Sequence, residues 1–592
     1  MARDRALSWG TLVTALGAFV FAWTPLTDRD WPWHLADFER MSREHAFPWR
    51  DAFSWASEGD FLPVHWLFEL ALGLAHRAWG LAGIEVVRVL LVVLAFALLE
   101  RLLARRGLGP VAASAVALSV AAITRARLLE RPHLVTLLGM VLLWDQLVAY
   151  RDRKKKTLWS LTPLFLVWAN SHPGAIYGTI FATGFATAEL LRIPLSKRFP
   201  ALRALEPARA RNLALFVLLA VAATFVTPAG PRLYPYLLGH VSMQKGHHVA
   251  ELHAIDFTRL EDWLFAAALA FTALLLVRGA RGGTGPDLTD LAGTLGFVVL
   301  ACVAAREENL ALVGAAVTLA PVLAETIREA KGELEGKETG LHVFAWAFAL
   351  TLGFGLPLLA LGMQLAEGDL GSGLRPGSYP EREADWILAK KPKGPLWNTN
   401  ASGGYLIWRL DPLANPGWRV FWDGRQPLYD HAAHMTYAEI EAAMHPNILV
   451  LDPLTPPPEG NRWVHENFAL VHFSDGGRTY LRQAGPDPEL VARFAYRHIA
   501  FAMTLDERFG AEDPRRYELH VVPDSENPEE ARAELIRGAL AEEPGGEWAN
   551  VALARTLLLL GDKLGAAQAA RRALEVRSSH DALEALRSAE GH

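Results

Sequence analysis

The chain has 592 residues, 51% of them hydrophobic and 21% charged, with a mean hydropathy of +0.15. That length and composition exclude a single soluble domain and predict a polytopic membrane protein with an appended soluble part. A formal net charge of −6, with basic residues in short scattered clusters, argues against a nucleic-acid partner, and the one cysteine, Cys302, rules out an intrachain disulfide and a cysteine-based metal site.

In chain order, apolar runs recur at 9–26, 84–104, 110–124, 132–150, 158–170, 174–192, 212–228, 262–278, 288–304, 309–327 and 341–363. Each is near the length that crosses a hydrocarbon layer of roughly 30 Å, which predicts about eleven spans. The first follows Arg3 and Arg5 and lacks a small-residue cleavage site, so it reads as a retained signal anchor. Basic residues then fill alternate loops: Arg101, Arg105 and Arg106; Arg151 to Lys156; Arg192 to Arg211; Arg278 and Arg281; and Arg328, Lys331 and Lys337. By the positive-inside rule these loops and the N-terminus are cytoplasmic, and the chain after residue 363 is extracytoplasmic.

The same assignment sends the uncommon polar residues to the outer loops. A charge at the centre of a membrane helix costs about 2.5 to 3.5 kcal/mol, so such residues pair or line a polar cavity, and one polar site at the outer face is expected. "TPLTDRDWPWHLADFERM" opens the first outer loop, 27–83, and places Asp28 and Asp30 at the end of a span. Anchoring gains nothing from acids there. A carboxylate in that place suits a general base or a ligand for a divalent cation, and His34 lies one helical turn from Asp30. The segments "HLADFERMSREH" and "HWLFELALGLAHRAWG", the second with His65 and Glu69, have the spacing of interfacial helices, and their tryptophans read as an aromatic belt.

"TRARLLERPH" crowds Arg125, Arg127, Arg131 and His133 into a loop that should be poor in arginine. The planar guanidinium fork suits phosphate, and pairing with Glu130, Asp28 or Glu69 is the other reading. "WANSHPGA", with Asn170 and His172, reads as a tight re-entry between helices. "HHVAELHAID" offers His247, Glu251 and His253 as metal-ligand candidates, although the spacing matches no defined zinc pattern. Arg306, Glu307 and Glu308 at a further boundary read as a buried ion pair.

A Gly/Pro/Ser linker, 371–380, closes the membrane part, 1–370. Residues 381–525 alternate helix-like segments with the strand candidates "GPLWN", "WRVFWDG" and "NILVLD", which predicts a small α/β domain. "NASGGYLIWRL" and "DGRQPLYD" read as loops at strand ends, with Asp423 and Arg425 in a structural turn. The tail, 526–592, has the Ala/Leu spacing of a tetratricopeptide-like hairpin, a type of repeat that binds protein partners.

The acids at the end of the first span, the long first outer loop, the many spans and the extracytoplasmic C-terminal part resemble the GT-C superfamily of membrane glycosyltransferases. "DRDWPWHLADF", "FPWRDAFSW", "HWLFELAL", "RPHLVTLL", "WANSHPGAIYG", "GGYLIW" and "VFWDGR" are similar to stretches of a group of bacterial multi-pass proteins with tetratricopeptide-like tails. The resemblance implies transfer of a sugar from a polyprenyl-phosphate donor to an extracytoplasmic lipid, glycan or protein acceptor, at a bacterial inner membrane. It gives Asp30 the place of the first-loop acid, with Asp28 second, and the arginine cluster the lipid phosphate. In this sequence Arg29 separates the two acids, so metal use stays open. The alternative is a non-catalytic envelope scaffold, or a binder of a lipid-linked glycan.

Overall fold

The computed structural model describes residues 8–57, 60–199, 202–237, 259–283, 285–335, 357–366, 370–425, 435–452, 461–495, 546–576 and 579–591, with short pieces between them. The chain forms two compact units, Met1–Thr24 with Pro63–Ser372, and Pro25–Leu62 with Gly373–His592. The division differs from a cut near residue 370, because the first half of the expected outer loop folds with the C-terminal region.

The first unit is helical. Helices Trp9–Ala22, Leu81–Arg105, Pro110–Ile123, His133–Arg151, Leu161–Ser171, Ala175–Arg198, Pro207–Ala223, Leu260–Arg281, Leu288–Val303 and Glu308–Glu335 fall on the first ten apolar runs, and Trp66–Trp79 precedes the second. Among the described residues, Leu81–Arg105, His133–Arg151, Leu260–Arg281 and Ala305–Glu329 are long and apolar enough to cross a membrane. The run at 341–363 lies largely outside the described residues. Local signals start these helices: Ser8 Oγ accepts from Thr11 N–H, Asp287 caps Thr289 and Asp290, and prolines open Pro110–Ile123 and Pro207–Ala223. Small residues let them close up. A β-carbon at Gly139 or Gly178 would stand 2.7 or 2.5 Å from the Trp168 ring.

One end of this bundle is closed by ion pairs among alternating basic loops. Asp290, fully buried, accepts from Arg106 at 2.8 Å, Arg151 at 2.8 Å and Trp144 Nε1 at 3.2 Å. Asp287 accepts from Arg151 and Arg192, and Arg192 also donates to Glu189. Three guanidinium groups meet three carboxylates, so the charges desolvated there compensate one another.

The second unit is built on a mixed sheet of β1 (Leu396–Asn398), β2 (Ile448–Leu451), β3 (Phe468–Ser474) and β4 (Gly477–Arg482), in the order β1-β2-β4-β3. β1 and β2 are parallel, with helix Tyr437–Met444 between them in sequence, and the other pairs are antiparallel. Helices Glu547–Leu559, Lys563–Val576 and His580–Glu590 pack through buried alanines in the tail.

Two expectations are corrected here. "NASGGYLIWRL" is a helix, Asn400–Leu410, and not a loop: burial of Tyr405, Leu406, Ile407 and Leu410 outweighs the glycine propensity penalty of roughly 1 kcal/mol each. "WRVFWDG" forms no ladder strand, since Val420 makes only an isolated bridge with Ser54 of the first-loop segment. That bridge, with Trp55 N–H donating to the Val420 carbonyl and Val420 N–H to the Phe53 carbonyl, shows why residues 25–62 belong to this unit.

Candidate functional site

In the second unit, the chain turns at Asp28 and enters helix Trp31–Glu44. Asp28 is buried, and its Oδ1 accepts the Asp30 N–H at 3.0 Å, closing an Asx turn. Asp30 holds the helix N-cap position, and its side chain makes no cap hydrogen bond. Trp31 is fully buried; its Nε1 donates to Tyr379 Oη at 2.8 Å, and Tyr379 Oη donates to the Asp28 carbonyl at 2.7 Å. Trp31 and the 6%-exposed Trp33 are therefore core residues of the second unit, which corrects the aromatic-belt reading for these two. The helix is buried along most of its length and includes His34, whose ring lies against Trp33.

One helical turn beyond His34 lies Asp37, fully buried, with no hydrogen-bond partner for either carboxylate oxygen. Burial is the main cause that pushes its carboxyl up to about 7; Arg425 opposes the shift and Asp51 adds to it. Arg425 is locked beside it. Its Nη2 and Nε donate to Asp423 at 2.7 and 2.9 Å, its Nη1 donates to Asp51 Oδ1 at 2.7 Å, and the Phe53 and Phe61 rings lie 5.3 and 5.6 Å away. Asp423 and Arg425, which the sequence places only in a structural turn, thus form an ion pair. Asp37 was missed: a lone acid between Ala36 and Phe38 looks like a solvated position until the fold buries it.

In the first unit, residues expected in outer loops gather at the bundle end opposite the Asp290 network. Trp66 Nε1 donates to Asn170 Oδ1 at 2.7 Å, and Asn170 Nδ2 donates to the carbonyls of Leu166 and Val226. His172, between helices Leu161–Ser171 and Ala175–Arg198, accepts at Nδ1 from Gly174 N–H (3.0 Å) and the Thr136 hydroxyl (2.7 Å), which places its proton on Nε2. Burial, followed by nearby His65, His133 and Arg306, holds this imidazole well below its usual range and keeps it neutral. His65 faces it at a ring separation of 5.8 Å. Glu69 is buried one turn along the helix that begins after His65.

Arg125 and Arg127 sit on a 3-10 turn, and His133 Nε2 donates to the Arg127 carbonyl at 2.6 Å. Arg125 lies 3.8 Å from Glu261, and Arg127 is within electrostatic reach of Glu308. Arg131 is half-buried beside Pro132, at the start of helix His133–Arg151. Glu130, next to this cluster in sequence, pairs with Arg88 at 2.6 Å, both side chains being fully buried. Tyr177 Oη and Arg306 Nε both donate to Glu307 Oε1 at 3.0 Å, the ion pair expected at that boundary. A small apolar groove lined by Ala122, Ile123, Leu264, Leu359 and Met363 also takes Arg125 and Glu261 into its wall.

Of the residues singled out in sequence, Arg125, Arg127, Arg131, His133, His65, Glu69, Asn170 and His172 lie in the first unit, and Asp28, Asp30 and His34 in the second. His247, Glu251 and His253 lie outside the described residues.

A helical membrane bundle joined to a C-terminal mixed-sheet unit is the architecture of the GT-C membrane glycosyltransferases, and the chain has that fold. The archaeal oligosaccharyltransferase AglB from Archaeoglobus fulgidus, solved in complex with an inhibitory peptide and a dolichol-phosphate, aligns at 13% identity over 94% of this chain and 87% of that chain, with a TM-score of 0.51. The apo form of the Archaeoglobus fulgidus oligosaccharyltransferase aligns at 12% identity over 93% of this chain and 86% of that one, with a TM-score of 0.52. No protein-family model matches the sequence, and no curated protein matches it.

Proposed function

We propose that this protein is a membrane glycosyltransferase that takes a sugar from a polyprenyl-phosphate donor and passes it to an extracytoplasmic lipid, glycan or protein. The observation that carries this reading is the collection of Arg125, Arg127, Arg131, His65, His133 and His172 at one end of a bundle with the GT-C fold. Guanidinium groups at a helix-bundle rim suit a phosphate. The solved relative that holds dolichol-phosphate supports the donor class.

In this reading Asp30 takes the acceptor proton as its oxygen or nitrogen attacks the sugar anomeric carbon, and the bond to phosphate breaks with inversion, the polyprenyl phosphate leaving with the bonding electron pair. His34, one turn along the helix, orients the acid, with Asp28 as the second carboxylate. His65, Glu69, Asn170 and His172 contribute neutral and acidic polar contacts to the donor. We place the chain in a bacterial inner membrane with a cytoplasmic N-terminus, residues 381–525 and the tail on the other side, and a protein partner on the tetratricopeptide-like tail.

The test is mass spectrometry of lipid extracts and surface glycans from cells with the wild-type gene, a deletion and Asp30→Asn. Accumulation of the same sugar-charged polyprenyl phosphate and loss of the same glycan in both mutants is the expected result. An envelope defect in the deletion alone would instead mark a scaffold.

A further inference from the structure

The turn that carries Asp30 is held by three separate pieces of the C-terminal region. Tyr379, from the Gly/Pro/Ser linker, donates its hydroxyl to the Asp28 carbonyl at 2.7 Å. Gly404, from helix Asn400–Leu410, lies so close that a β-carbon there would stand 2.6 Å from the Arg29 carbonyl oxygen. Gly424, between the paired Asp423 and Arg425, leaves the space taken by the acid itself: a β-carbon there would stand 2.0 Å from Asp30 Oδ1 and 3.1 Å from its Cγ. Gly403 closes the arrangement, since its own β-carbon would meet the Trp422 carbonyl at 2.0 Å. The motifs "GGYLIW" and "VFWDGR" therefore have a shared purpose, to bring backbone close to backbone around residues 28 to 30.

These glycines are not equivalent. At positions 403 and 404 the obstructing atoms are backbone, which cannot step aside. At 424 the obstructing atom is the end of a rotatable side chain, so a methyl group would swing the Asp30 carboxylate and leave the backbone in place. The direction of that carboxylate is thus set by the missing methyl at 424, and the height of its backbone by the Tyr379 hydroxyl through Asp28.

We propose that Gly424 and Tyr379 are positioning residues for Asp30: the C-terminal unit aims the acid that activates the acceptor. The proposal rests on the reading of Asp30 as that acid. Misplacing a reacting group by about 1 Å costs on the order of 10²-fold in rate, so the effect belongs in kcat and not in donor binding.

The experiment uses full-length protein in lipid nanodiscs. The probe is membranes from the deletion strain, which contain both donor and acceptor, and the readout is release of polyprenyl phosphate by mass spectrometry. Wild type, Asp30→Asn, Gly424→Ala and Tyr379→Phe are compared for kcat, for KM in membrane concentration and for melting temperature. The expected result is a loss in kcat on the order of tenfold to a hundredfold for Gly424→Ala with KM and melting temperature unchanged, and a smaller loss in kcat for Tyr379→Phe with KM unchanged, its melting temperature falling because the buried Trp31 Nε1 loses its acceptor. Wild-type kcat in Gly424→Ala beside an inactive Asp30→Asn overturns the positioning role and leaves the role of Asp30 standing. A loss in Gly424→Ala that tracks a lowered melting temperature also overturns it, as a packing contact would behave that way. Full turnover in Asp30→Asn, or no release by the wild type, removes the underlying reading and the proposal with it.

Discussion

Arg425 and Asp51, 374 positions apart in the chain, form a direct ion pair at 2.7 Å with both side chains out of contact with water. The pair fastens the first-loop segment to the loop after Trp422, and Asp423 and Asp37 share the same guanidinium field. Arg425→Met would leave three buried carboxylates facing one another. Removing one partner of a buried pair costs about 3 to 5 kcal/mol, so this variant should unfold the second unit at a clearly lower temperature. Circular dichroism during heating, with Arg43→Met at the 49%-exposed Arg43–Asp411 pair as control, is the check.

Asp37 makes the stability of this unit depend on pH. Burial pushes its carboxyl up to about 7 from the ordinary 3.8, so the folded state holds the proton more tightly than the unfolded state does. Stability from this group is fully present below about pH 4 and is lost as the pH rises through 7, by up to roughly 4 kcal/mol. Melting temperature should fall between pH 5.5 and 8.5 in the wild type and change much less in Asp37→Asn. A flat wild-type profile would show that Asp37 stays ionised.

At the other end of the membrane unit, Asp290 and Glu206 offer a contrast. Asp290 is buried under Arg106, Arg151 and Trp144, whereas the Arg153–Glu206 pair is 64% and 69% exposed. Asp290→Ala should cost several kcal/mol, and Glu206→Ala no more than about 1 kcal/mol. Thermal stability in detergent separates the two.

The arginine turn should govern donor affinity. Arg127→Leu removes a cation near the proposed phosphate, so KM for the lipid-linked sugar should rise roughly tenfold or more, with a smaller change in kcat. Arg153→Leu, which pairs with Glu206 far from that turn, should leave both constants unchanged. An unaltered KM in Arg127→Leu would move the phosphate elsewhere.

Much of the membrane unit was legible in one dimension. The first ten apolar runs are helices, and of the charged and polar residues between them Arg106, Arg151 and Arg192 meet at one end of the bundle around Asp290 and Asp287, while His65, His133 and Arg306 lie near His172. The unusual residues of the Arg125–Arg127 turn and the Asn170–His172 re-entry stood out because charge and amide groups are costly beside hydrocarbon. What only the tertiary structure decided is the company these residues keep. Glu130 neighbours the arginine cluster in sequence but pairs with Arg88; Trp31 looks like a membrane anchor but packs on Tyr379; and Asp37 looks solvated but is sealed beneath Arg425. Each of these depends on contacts between segments tens to hundreds of residues apart. Periodicity and local propensity report which face of an element is apolar, whereas the partner that covers that face is chosen by packing of the whole chain.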